Sequence, residues 1–190
     1  MDKFKFYALK LCLIILAVFV FQVIFPGFTE LFVLNQNAWI EIWRFCTAIF
    51  LHGGVGHLVY NLFALALFGS ILEKLIGEKK FMLVFFVTGI LANLFAVNFY
   101  SFSLGASGAI FGVIGALIVV RPMMFIWAFG LPMPIFIAGI LWVVGDVIGA
   151  VAFLTGNPIN NTGSLAHLSG MAFGLILGAF FRKRKFRKKK

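Results

Sequence analysis

Ser107 and His167 are the residues of this chain whose types and positions together suit nucleophilic chemistry. Ser107 lies in GASGAIFG at the start of one apolar stretch, and His167 lies in AHLSGMAFG at the start of another. Ser107 stands 14 residues before Arg121-Pro122, and His167 stands 15 residues before the Arg182-Lys183-Arg184-Lys185 run. At ~1.5 Å of rise per residue, straight helices put both ~21–22 Å above the same cationic boundary. A hydrocarbon core is ~30 Å thick, so both would be buried ~8 Å below the opposite face. A hydroxyl and an imidazole matched in depth inside a bilayer are costly unless they are used. The use these two types suggest is a nucleophile and its base, because a neutral imidazole takes a serine proton near pH 7.

A second polar pair stands at the same level. The stretch HGGVGHLVYN places His57 and Asn61 four residues apart, on one face of a helix. Counted up from Glu73 near the cationic end, they stand ~24 and ~18 Å high and bracket Ser107. A tetrahedral oxyanion needs fixed donors, which a backbone N–H, an imidazole and an amide can supply. Ser107 at a helix N-terminus adds free N–H groups and the positive end of the dipole. Gly170, Gly174 and Gly178 form a stripe beside His167, and Gly108, Gly112 and Gly115 form another beside Ser107. Stripes of small residues let membrane helices meet backbone to backbone, which an Oγ–imidazole hydrogen bond of about 3 Å requires.

These residues need six elements to carry them. The chain has 190 residues, 63% hydrophobic and 12% charged, more apolar surface than a soluble domain of this length can bury. The apolar segments run over residues 6–25, 58–75, 81–99, 107–120, 134–154 and 165–181. The first has no small-residue cleavage site before Pro26-Gly27 and reads as a retained span rather than a leader. An even number of spans puts both termini on one side, with Lys3, Lys5, Lys10, Lys74, Lys79, Lys80, Arg121 and the cations of the tail. Only Arg44 falls on the other side. The positive-inside rule then makes the termini cytoplasmic and the Ser107 level extracytoplasmic. The net charge of +10 would suggest nucleic acid in a soluble protein, but half of the sixteen Lys and Arg crowd into residues 182–190. That tail reads as a topology anchor touching anionic lipid, and no nucleic-acid partner is expected. Cys12 and Cys46 lie in unlike contexts and give no disulfide or metal spacing. No repeat or second domain is visible, so the expectation is one membrane domain over residues 1–181 and a basic cytoplasmic tail over 182–190.

With these motifs in order, the chain resembles the rhomboid family of intramembrane serine proteases. The matching residues are Trp43-Arg44 in the first loop, His52-x4-His57-x3-Asn61, Gly105-Ala106-Ser107-Gly108 and Ala166-His167-x2-Gly170-x3-Gly174. The resemblance implies an all-α, six-helix polytopic bundle in the cell membrane, and a Ser107–His167 dyad without a third, acidic member. It implies an oxyanion hole from the Ser107 N–H, His57 and Asn61, and a bend at Gly105 that drops the chain to Ser107. His52, Trp43 and Arg44 would shape the first loop, and Glu73 would brace the second helix. Many members carry Tyr four residues after the serine; here Phe111 stands there, able to pack on imidazole without the hydroxyl. Substrates would be transmembrane segments cut near their extracytoplasmic ends, reaching the site sideways from lipid. The fifth helix, with Phe136 and Trp142, would be the gate. The extra domains or seventh span of some members are not expected here.

Other readings are weaker. His52, His57 and His167 could hold a metal, but no carboxylate accompanies them in a motif such as HExxH, so no metal or cofactor is expected. Asp146, in mid-span of the fifth helix, is an intramembrane carboxylate that the family pattern does not claim; a hydrogen-bonded or neutral packing role is expected. A catalytically dead binder or chaperone of membrane segments would share the fold, but Ser107 and His167 are both retained. A small transporter would more often show broken helices in corresponding halves or a paired repeat.

Overall fold

The computed structural model describes residues 5–158 and 163–187. Six long helices carry the fold: α1 (Tyr7–Ile24), α2 (Val55–Ile76), α3 (Glu78–Ala96), α4 (Ser107–Val120), α5 (Ile135–Leu154) and α6 (Ser164–Arg187). Five are long and apolar enough to cross a membrane; α4, at 14 residues, is the shorter exception. At ~1.5 Å per residue α4 covers only about two thirds of a hydrocarbon core, so a full crossing needs the chain before it to enter the bilayer unwound.

The helix ends agree with the sequence expectation to within a few residues, with two differences worth a reason. First, α2 begins at Val55, directly after Gly54 with φ +158°, so His57 sits in its first turn. Its middle, Leu65–Gly69, is wound as a π-helix, so the uniform count up from Glu73 does not hold along it. Second, α6 does not stop at residue 181 but runs through Arg187, because Lys and Arg are good helix formers and sit well at a helix C-terminus. Lys3 and residues 188–190 of the expected tail lie outside the described residues.

Short strands accompany the helical bundle. Among the described residues two antiparallel ribbons are present: β1 (Leu34–Asn35) with β2 (Phe102–Ser103), and β3 (Phe125–Ala128) with β4 (Leu131–Pro134). The β3–β4 hairpin turns on Phe129 and Gly130, both at positive φ, the two-residue turn whose twist matches paired strands. The β1–β2 pair ties the first loop to the segment leading into Ser107. That loop is otherwise built from short helical turns. Arg44, buried, donates from one guanidinium nitrogen to the carbonyls of Glu30 and Val33, each at 2.8 Å, and its Nε pairs with Glu41. Trp43, half exposed, starts the Arg44–Thr47 turn, and its carbonyl accepts the Thr47 hydroxyl.

The core is centred on α4. Every residue from Gly108 to Leu117 is buried except Phe111, whereas α1 buries only Ala8, Leu11 and Ile15. The outward faces stay apolar: Val23, Tyr60, Phe63 and Ile176 are all more than 60% exposed. Surface of this kind suits lipid as solvent. Glu73 is buried and both of its carboxylate oxygens are used. Its two carboxylate oxygens accept from the Tyr7 and Ala8 N–H groups at 3.0 Å, capping α1 and tying it to α2.

Glycines let α4 be gripped from both sides. A Cβ at Gly112 would run into Thr88 of α3, and a Cβ at Gly115 would reach the Met171 carbonyl of α6 at 2.5 Å. Along α6, a Cβ at Gly170 would strike the Gly108 carbonyl, one at Gly174 the Gly112 carbonyl, and one at Gly178 would come within 2.8 Å of Ala116. These are backbone-to-backbone contacts at three successive levels of the helix pair. Replacing Gly174 with Val should therefore destabilise the protein by roughly 1–3 kcal/mol or more, whereas Gly145→Ala on α5, where a Cβ meets nothing within 4 Å, should be neutral. Thermal unfolding of the two variants in one detergent checks this; equal melting temperatures would contradict it.

Candidate active site

The segment before α4 sets where Ser107 sits. Gly105 holds φ +124°, a conformation suited to glycine, and its N–H donates to the Ala48 carbonyl at 2.9 Å. Two residues later the chain turns into α4 with Ser107 as its first residue. The first N–H groups of this helix have no carbonyl partner inside it.

His167 occupies the first turn of α6, its N–H donating to the Gly163 carbonyl at 3.0 Å. The glycine contact between α4 and α6 sets its imidazole against the serine: Ser107 Oγ and His167 Nε2 are 2.8 Å apart. Phe111, one turn along α4, stacks on the imidazole with centroids 4.4 Å apart and planes 5° from parallel. The expected ring-on-ring packing is present without any hydroxyl. Gly108, between them in the chain, faces Ala92 of α3 and the Ala166 carbonyl, so no side chain intrudes.

The other imidazole nitrogen is also engaged. His167 Nδ1 lies 3.1 Å from Asp146 Oδ1, and both side chains are nearly buried, at 13% and 11% exposure. The sequence reading gave Asp146 a hydrogen-bonded or neutral packing role and did not name His167 as its partner. A signal was there. Asp146 lies 11 residues into α5, or ~17 Å up, close to the level counted for Ser107 and His167.

His57 and Asn61 form a neighbouring group rather than direct partners of the serine. The His57 ring lies against Gly105, where a Cβ would stand 2.6 Å from its Cε1. Its Nδ1 faces the Gly53 N–H at 3.4 Å. Asn61 is buried and donates one amide N–H to the His57 carbonyl at 2.8 Å, which leaves a second N–H on the same nitrogen. Among the described residues, neither has a hydrogen bond to Ser107 or His167. His52, buried in the first loop, is held by Gln22: its N–H donates to Gln22 Oε1 at 2.9 Å and its carbonyl accepts from Gln22 Nε2 at 3.3 Å. Burial first, and the nearby His57 ring second, push the His52 imidazole down to about 4, so it is neutral near pH 7.

The histidines do not gather as a ligand set. The His52 and His57 rings are 5.0 Å apart, while His167 is occupied by Ser107 and Asp146. Among the described residues no three His, Cys, Asp or Glu side chains converge as a metal site would need. The arrangement suits proton transfer to and from a hydroxyl nucleophile.

Comparison with known proteins places this chain in a family. A model described as the Rhomboid domain matches residues 40–184. The chain is 39% identical over 95 residues to rhomboid protease GluP of Bacillus subtilis, covering 50% of this chain and 18% of that protein. It is 32% identical over 151 residues to RHOMBOID-like protein 1 of Arabidopsis thaliana, covering 74% of this chain and 35% of that one. It is also 39% identical over 80 residues to a protein named inactive RHOMBOID-like protein 8, from the same plant, covering 41% of this chain and 23% of that one. The chain thus aligns with well under two thirds of each of these relatives, and one of them is named as inactive. With the matched region taking in the helices from α2 through most of α6, this multi-pass membrane protein belongs to the rhomboid family.

Proposed function

We propose that this chain is an intramembrane serine endopeptidase, with Ser107 as nucleophile and His167 as general base and acid. The observation that carries the reading is the 2.8 Å Ser107 Oγ–His167 Nε2 contact, held between apolar helices. In the first step the Ser107 oxygen attacks a scissile carbonyl while its proton passes to His167 Nε2. The tetrahedral intermediate collapses, and the same proton goes to the leaving amine. Water, deprotonated by His167, then cleaves the acyl-enzyme and restores Ser107. The oxyanion draws on the Ser107 N–H, the free N–H of Asn61 and His57.

The substrates in this reading are transmembrane segments cut near their extracytoplasmic ends. The protein sits in the cell membrane with both termini cytoplasmic and six crossings, α4 among them. Its membrane domain covers 1–181, and the cations of 182–190 meet anionic lipid at the cytoplasmic face. Substrate reaches Ser107 from the lipid past α5, where Trp142 meets Phe68 and Phe111 edge-on. A lifeless binder of membrane segments is the competing reading, supported by the similarity to a relative named as inactive. A hydrogen-bonded serine–histidine pair is what such a binder has no need to keep.

Cleavage of a model single-span substrate in proteoliposomes tests the proposal. Ser107→Ala and His167→Ala should each abolish cleavage while leaving the fold intact, and Asn61→Ala should lower turnover ~10²-fold or more without abolishing it. Full activity in Ser107→Ala would sink the mechanism.

Depth gives a further expectation. A bond in an intact substrate helix is not open to attack ~8 Å below the outer face, so the segment must unwind locally. Gly residues near the outer end of a substrate span should speed cleavage, and a Leu/Ala-rich replacement should slow it. Matched substrates in one bilayer, with insertion and binding measured separately, make the comparison. Equal rates would place Ser107 nearer the surface or make unwinding irrelevant to the rate.

A further inference from the structure

We infer that Asp146 is a positioning residue for His167: its carboxylate fixes the imidazole tautomer and plane that the serine needs. The inference rests on the protease reading above and adds a member to the reactive pair from a third helix. A carboxylate in the middle of an apolar span is expensive unless a partner uses it. Asp146 spends its Oδ1 on His167 Nδ1, at 3.1 Å, with both groups nearly out of solvent.

The consequence is a matter of which nitrogen carries the proton. A carboxylate accepts only, so the neutral imidazole beside it keeps its hydrogen on Nδ1. The Nε2 lone pair then faces the Ser107 hydroxyl, as a base must. With the proton on Nε2 instead, the imidazole would donate to Ser107 Oγ and could not take its proton. When His167 accepts the serine proton, the Asp146 carboxylate faces the new positive charge at close range, where apolar surroundings screen little. Phe111 holds the ring face at 4.4 Å, so Asp146, Ser107 and Phe111 together leave the imidazole one orientation. The remaining titratable neighbours are Tyr100, whose hydroxyl accepts the Leu165 N–H at 3.2 Å, and His57 over Gly105. Neither takes the place of an acceptor on Nδ1.

A purely structural role would be different in kind. Asp146 could simply tie α5 to α6, since α5 buries Ile135, Ala138 and Gly139 near one end, Ala150 near the other, and nothing between. A tie of that sort would show in stability and not in the tautomer or the turnover number.

Asp146→Asn separates the two, because an amide of the same shape can donate to Nδ1 and so place the histidine proton on Nε2. In proteoliposomes with a single-span substrate, this variant should lose ~10²–10⁴-fold in kcat with KM within about threefold, by analogy with the corresponding change in a soluble serine protease. Its melting temperature should stay within a few degrees of the parent. Asp146→Glu should recover at least tenfold over Asn. Nitrogen-15 NMR of histidine-labelled protein, assigned with His167→Ala, should show His167 protonated on Nδ1 in the parent and on Nε2 in Asp146→Asn. An Asn variant with kcat within threefold of the parent overturns the inference, as does a parent His167 protonated on Nε2. Should Asp146→Asn fail to fold, the parent tautomer and the Asp146→Glu kinetics decide alone. Because the tautomer is read without turnover, a parent that binds substrate but never cleaves it refutes the protease reading and leaves the Asp146 contact separately tested.

Discussion

Everything about the site depends on two helix backbones being allowed to touch. The α4–α6 contact is made by Gly108 and Gly112 on one side and Gly170 and Gly174 on the other, with carbonyls lying where side chains would otherwise be. In lipid no hydrophobic force drives one apolar helix onto another, so close packing and polar contacts must do it. The glycines give the first and, one turn further out, the Ser107–His167 hydrogen bond gives the second. The same closeness serves stability and geometry at once. A methyl group added at Gly170 or Gly174 would push α6 off α4 and pull His167 out of reach of Ser107.

Around that contact, the fold places its polar groups where each is used. Glu73 caps α1 through two backbone N–H groups, Arg44 gathers the carbonyls of the first loop, and Gln22 holds His52 from both sides. Each is buried or half buried, and each would be costly unpartnered. The row Asp146–His167–Ser107 follows the same rule, with the difference that its last member is a serine hydroxyl. Three helices of different chain position, α5, α6 and α4, contribute one residue apiece. The lightly packed α5 supplies the outermost of them.

Much of this is legible in the sequence, for definite physical reasons. Apolar runs between Lys/Arg clusters mark spans because lipid tolerates little else, and counting residues from Arg121 and Arg182 sets Ser107 and His167 at one depth. Glycine stripes on both helices announce a close crossing, and the geometry bears this out at Gly112 and Gly174. What the sequence hid was lateral position. Depth counting alone does not say which way Asp146 faces around α5, and so its meeting with His167 Nδ1 went unread. The π turn at Leu65–Gly69 and the continuation of α6 past Phe181 were hidden for a related reason. Both depend on packing or helix propagation across a boundary that hydropathy draws too sharply.

The central claim is that Ser107 is made nucleophilic by His167. The direct measurement is covalent capture: treat the protein in bilayers with a fluorophosphonate-type serine reagent, digest it, and locate the adduct by mass spectrometry. The account predicts an adduct on Ser107 and not on Ser101, Ser103, Ser164 or Ser169, lost in His167→Ala and in protein unfolded before treatment. No adduct on Ser107, or one that forms as readily without His167, would contradict it.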